Sequence, residues 1–123
     1  MEKDKIKDLE DFIRFLRDED KPIIVEGKND KIALIKIGCT MIITLSKNPL
    51  YKVVEDVVKK ERGCIILTDL DKKGKELYGK LNRQLQQFGV RVDDSYRDFL
   101  FKKTKLRQIE GLYRYCLRNG VEL

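Results

Sequence analysis

Two short apolar runs interrupt a strongly charged chain, and each ends on acid. Ile23-Ile24-Val25 runs into Glu26-Gly27, and Ile65-Ile66-Leu67-Thr68 runs into Asp69-Leu70-Asp71. Short β-branched apolar runs read as buried strands. A third, Met41-Ile42-Ile43-Thr44-Leu45, lies between them, and Val90-Arg91-Val92 offers a short fourth strand. Between the strands the apolar period changes to that of helices. Ile6, Leu9, Ile13 and Leu16 predict an amphipathic helix over residues 3–18. Ile32, Ala33, Leu34, Ile35 and Ile37 predict a short buried helix that Gly38 ends. Val53, Val54, Val57 and Val58 line another, with Asn48 as N-cap, Pro49 at its first position and Gly63 as its stop.

Leu77, Leu81, Leu85 and Phe88 share one face of a helix over 73–88, with Gly89 as C-cap. Residues 96–118 read as helical, in two pieces broken near Thr104. Leu106, Ile109, Tyr113, Cys116 and Leu117 are their core positions. Alternation of this kind predicts an α/β fold. The expected architecture is one Rossmann-like domain, residues 1–123, with a mainly parallel four-stranded sheet and helices on both faces. No repeat, low-complexity tract or interdomain linker divides the chain.

Composition narrows the chemistry. The 123 residues are 39% charged and contain no histidine, which removes His-based triads and His-containing zinc sites. Cys39, Cys64 and Cys116 are widely spaced and form no CxxC pair, so they read as buried thiols of a reducing compartment. No apolar run reaches the ~18 residues of a membrane-spanning helix. The charged opening Met1-Glu2-Lys3-Asp4 has no signal-peptide core, and the expected location is the cytoplasm without membrane association.

Net charge is +6, unevenly spread. Residues 1–71 hold 14 basic and 15 acidic side chains, while residues 72–118 hold 13 and 5. A basic half beside an acidic cluster suits a polyanion held against a metal site; a solvated basic face is the alternative.

Ligands of open parallel sheets bind at the carboxyl ends of strands. Glu26, Asp69 and Asp71 all fall there, and three carboxylates at two strand ends are expected to converge on one hard cation. Asp69 and Asp71 are two apart in an extended segment, so their side chains point the same way and Leu70 points into packing. Lys72-Lys73-Gly74 then opens a helix, where backbone N–H groups favour phosphate. Asp71 also reads as a simple helix cap, and Asp30 as a cap beside Asn29.

Val25-Glu26-Gly27-Lys28-Asn29-Asp30 and Thr68-Asp69-Leu70-Asp71-Lys72-Lys73-Gly74 together resemble the Toprim domain of topoisomerases, bacterial-type primases, recombination-repair proteins and certain nucleases. The resemblance spans about residues 20–118. The EGKxD form resembles most the ribonuclease that matures 5S ribosomal RNA and small stand-alone Toprim proteins, and Ile109-Glu110-Gly111-Leu112 resembles a late Ile-Glu motif of that branch.

The resemblance implies Glu26 as general acid or base or a metal ligand, and Asp69 and Asp71 as ligands of one or two Mg²⁺ ions. It implies phosphate contacts at Lys28, and the basic helix start makes Lys72, Lys73, Gly74 and Lys75 further candidates, with Gly27 and Asp30 in support. Lys75 is a departure, since many relatives carry an acid after the motif glycine; Glu76 comes one place later.

The leading expectation is a Mg²⁺-dependent nuclease that processes RNA, with RNA favoured over DNA. The competing one is a non-catalytic nucleic-acid-binding module, or an accessory subunit of a ribonucleoprotein assembly. A small-molecule phosphatase or receiver-like domain also uses acidic strand ends, but the paired motifs disfavour it. The larger relatives carry substrate-handling domains that do not fit into 123 residues, so a protein partner is also expected.

Overall fold

The computed structural model describes residues 6–123. Four parallel strands, β1 (Ile23–Val25), β2 (Ile42–Thr44), β3 (Gly63–Ile66) and β4 (Arg91–Asp93), form one sheet in the order β2-β1-β3-β4. The register pairs Ile24 with Ile43 on one side and Ile66 on the other, and Cys64 with Val92. Helices α1 (Leu9–Arg17), α2 (Lys28–Ile37), α3 (Leu50–Lys60), α4 (Lys72–Gln87), α5 (Ser95–Lys103) and α6 (Leu112–Arg118) alternate with the strands, and a 3-10 turn over Ile109–Gly111 precedes α6. The expected α/β architecture is therefore present.

Strand alternation divides the core. Ile23, Val25, Ile65 and Leu67 pack with Phe12, Leu34, Leu100 and Leu112 of α1, α2, α5 and α6. Ile24, Cys64 and Ile66 face the opposite way, against α3 and α4 through Val53, Val57, Leu81 and Leu85. Successive strand side chains point to opposite faces, so three- and four-residue strands serve both layers.

Several local expectations shift. Among the described residues the first helix begins at Leu9, because the Asp8 side chain accepts the Asp11 N–H at 2.8 Å and caps it. Residues 3–5 of the expected helix lie outside the described residues. Ile32 and Ile35 on α2 are 40% and 53% exposed, so that helix is not buried all round. A helix lying on one sheet face hides a single stripe, here Asp30, Ala33, Leu34 and Ile37.

Pro49 is the N-cap of α3, with ψ at 151°, and not its first helical residue; Asn48 does not cap. Glu61 closes α3, and Gly63 opens β3. The fourth strand lies one residue later than expected. Phe88 and Leu117 are largely exposed, since Phe88 falls at the C-cap of α4 and the buried stripe of α6 is Leu112 and Cys116. Gly89, at φ +85°, turns the chain after α4. The break near Thr104 is present: Thr104 is the C-cap of α5.

Candidate functional site

The two central strands, β1 and β3, end side by side. Glu26 follows β1, and its Oε2 accepts the Asp69 N–H at 2.6 Å, across 43 residues of sequence. The same loop is held from several directions. Asp69 Oδ1 accepts the Ile109 N–H at 2.9 Å, and the Leu70 N–H reaches the Arg107 carbonyl at 2.7 Å. Leu70 is buried, as the alternation of the segment predicts. Asp71 is the N-cap of α4; its Oδ1 accepts the Gly74 N–H at 2.8 Å.

Gly74 closes the loop on itself. A Cβ there would stand 1.9 Å from the Asp69 carbonyl oxygen, so only glycine lets α4 start this close to Asp69. The Thr68 hydroxyl donates to the Gly74 carbonyl at 2.7 Å. The glycine's close approach is thus to backbone, and its N–H is engaged by Asp71.

Arg97 is a participant that the sequence reading missed. It is 8% exposed, donates through Nε to the Thr68 carbonyl at 3.3 Å and through Nη2 to the Asp69 carbonyl at 2.9 Å, and lies 4.6 Å over the Tyr78 ring. An arginine near the start of a helix carries no local sign of this. Only its position, 28 residues after Asp69, aims it at the loop.

The carboxylates are electrostatically loaded. Burial raises the Glu26 pKa; the Asp69 N–H opposes, the Asp69 and Asp71 charges add, and Lys73 opposes. Burial also raises Asp69, against the Ile109 N–H, with Asp71 and Glu110 adding and Arg97 opposing. Desolvation thus leads, and neighbouring acids only reinforce it. Asp30 is pushed up to about 6, chiefly by burial, although its Oδ2 accepts the Gly27 N–H at 3.0 Å. It occupies the third position of α2 and reaches back to the N-cap Gly27, the half of a capping box that a glycine cap allows.

Lys28, Lys72, Lys73 and Lys75 are exposed at the first turns of α2 and α4. The structure thus brings Glu26, Asp69 and Asp71 to one rim and sets these lysines at the helix starts beside it. Gly27 caps α2 one residue from Glu26. The cysteine thiols are buried and raised to about 11 at Cys39, about 12 at Cys64 and about 11 at Cys116, which leaves them inert as nucleophiles near neutrality.

The three carboxylates do not form a closed metal cage. Among the described residues, no three His, Cys, Asp or Glu side chains gather into a group that could hold a metal ion. The reason is visible in the hydrogen bonds: Glu26 is turned to the Asp69 backbone and Asp71 to Gly74. Mg²⁺ does not require such a cage, because it keeps several waters and rests on one or two carboxylates plus phosphate. Asp69 and Asp71 each have a second carboxylate oxygen with no hydrogen bond among the described residues, and hard oxygen donors of this kind fit that ion.

A model of the Toprim-like family matches residues 23–103, from the start of β1 to the end of α5. The chain belongs to the Toprim-like family. Similar proteins are the UPF0292 proteins of Pyrococcus abyssi, 42% identical over 115 residues (91% of this chain, 86% of that one), and of Methanocaldococcus jannaschii, 35% identical over 101 residues (79% of each chain). A solved structure of a protein from Aquifex aeolicus is 35% identical and covers 85% of this chain and 97% of its own, with a TM-score of 0.79. Toprim-like membership suggests a nucleic-acid-related, metal-binding function, and Toprim domains generally bind Mg²⁺. Among the described residues, no helix of this Toprim-like domain is long and apolar enough to cross a membrane.

Proposed function

We propose that the protein is a Mg²⁺-dependent nuclease that hydrolyses phosphodiester bonds in RNA. One observation carries the reading: Glu26 and Asp69, joined by a 2.6 Å hydrogen bond, meet at adjacent strand ends beside the lysine-bearing first turn of α4. Asp69 and Asp71 would hold Mg²⁺, which when bound supplies positive charge to phosphate oxygens.

The chain's own groups do the rest. Glu26 carries the proton: Oε2 is anchored on Asp69, so Oε1 is the oxygen that takes a proton from the attacking water. Its raised pKa brings the carboxylate nearer to the pH at which proton transfer is effective. The water oxygen bonds to phosphorus as its proton passes to Glu26, the phosphorus–oxygen ester bond breaks, and the leaving oxygen takes a proton from solvent water. Lys28, Lys72, Lys73 and Lys75 hold the strand by its phosphates. Arg97 fixes the Asp69 backbone through two carbonyls, so the carboxylates stay aimed while the loop is loaded. Gly27 and Asp30 set the start of α2 next to Glu26.

A second reading, a non-catalytic nucleic-acid-binding module or accessory subunit working with a protein partner, draws support from the hydrogen bonds that already engage Glu26 on Asp69 and Asp71 on Gly74. Incubation with labelled structured RNA, single-stranded DNA and duplex DNA, in Mg²⁺ or chelator, separates the two. The nuclease reading expects Mg²⁺-dependent cleavage of RNA that Glu26→Gln and Asp69→Asn each abolish. Cleavage of no substrate, with RNA bound equally by all three proteins, would leave the binding module.

A further inference from the structure

Phe101 is an aromatic ring left at the surface. It sits on the last turn of α5 and is 41% exposed. Two cations lie over its ring: Lys75 Nζ at 5.0 Å and the Arg107 guanidinium carbon at 5.6 Å. Lys75 belongs to the first turn of α4, immediately after Gly74. Arg107 is anchored, because its Nη1 donates to the Thr104 and Leu106 carbonyls at 3.1 and 2.8 Å. Its own carbonyl accepts the Leu70 N–H, between Asp69 and Asp71. The ring is therefore bracketed by the two segments that build the acidic loop. Lys102, Lys103 and Lys105 extend the basic surface around it.

Exposed cation–π pairs contribute about 0.5–1 kcal/mol each, so the two cations are held against the ring only weakly and are free to take other partners. An exposed ring flanked by cations suits single-stranded nucleic acid: bases stack on the aromatic, and cations take the flanking phosphates.

We infer that Phe101 is a stacking platform for one unpaired base of a nucleic-acid strand, with Lys75 and Arg107 taking the phosphates on either side. The inference rests on the nucleic-acid reading above and adds to it a selection for unpaired nucleotides beside the acidic loop. Bases within a duplex are already stacked on their neighbours and do not reach such a ring.

Fluorescence anisotropy with three RNAs of equal length tests it: a single strand, a duplex and a strand of abasic residues. Phe101→Leu should weaken binding of the intact single strand about 5–150-fold, the range of one lost base–aromatic stack. It should leave the duplex, the abasic strand and the salt dependence within twofold of the wild type. Phe101→Tyr, which keeps the ring, should bind the single strand like the wild type. Equal losses on intact and abasic strands, or no loss with Phe101→Leu, would overturn the platform while leaving the nucleic-acid reading in place. A wild-type protein that binds none of the three RNAs overturns both.

Discussion

At the scale of single residues, the loop between β3 and α4 tolerates little change. Gly74→Ala would place a methyl group where the Asp69 carbonyl stands, and backbone must move to admit it. The expected cost is about 2–3 kcal/mol, seen as a lowered urea midpoint, with Mg²⁺ binding lost as Asp69 shifts. Arg97→Met should cost about 2 kcal/mol, because it strips donors from two carbonyls and buries the loss. Arg97→Lys should recover only part of this, since an ammonium cannot span both oxygens as a guanidinium does.

Asp30 gives a pH signature. Its folded pKa, about 6, lies above the unfolded value near 4, so between these pH values the folded state holds a proton that the unfolded chain has released. The stability it contributes is present below about pH 4, falls as pH rises to about 6, and is flat above. Melting temperatures measured from pH 4 to pH 8 should show a weaker decline in Asp30→Asn than in the wild type; identical slopes would contradict the assignment.

At the scale of elements, Asp71 has two possible tasks that substitution can part. It caps α4 through Gly74, and it is also a proposed Mg²⁺ ligand. Asparagine caps a helix about as well as aspartate, whereas alanine does not. Asp71→Asn should therefore keep thermal stability yet bind Mg²⁺ more weakly by titration. Asp71→Ala should lose both, with about 1 kcal/mol of stability. Wild-type Mg²⁺ affinity in Asp71→Asn would reduce Asp71 to a cap. The same helix start illustrates how much an element's role depends on its neighbour. The N-terminus of α4 is presented at the rim because Gly74 packs on Asp69, and Asp69 is in turn fixed by Glu26, Ile109 and Arg97.

At the scale of the whole molecule, charge is divided along the chain and regrouped in space. The basic excess begins at residue 72, and its first members, Lys72, Lys73 and Lys75, open α4 beside carboxylates drawn from both halves. Binding to RNA should weaken steeply with salt, because each neutralised phosphate releases counterions. Lys28→Gln, Lys72→Gln and Lys73→Gln should each lower the slope of log affinity against log salt by about 0.7–1, whatever the sequence of the RNA. A slope unchanged by all three would move the strand path elsewhere.

The sequence by itself determined the order of elements and the acidic strand ends, because both are written locally. Apolar period distinguishes helix from strand, and Glu26, Asp69 and Asp71 come just after their apolar runs, so their place at the carboxyl ends of the strands was legible. Where the pattern misled, at Ile32, Ile35 and Leu117, an apolar residue lay off the stripe that its helix buries, and only the packed neighbour sets which stripe that is; Phe88 fell at the C-cap, past the end of its helix. Tertiary structure alone decided how the site is held. Arg97 and Ile109 reach Asp69 across 28 and 40 residues, and Phe101 meets Lys75 and Arg107 only because α5 ends beside α4. It also decided that Glu26 grips the Asp69 backbone and that Asp71 turns to cap α4. Hydrogen bonds between distant segments depend on how the layers dock, and no local periodicity records that docking.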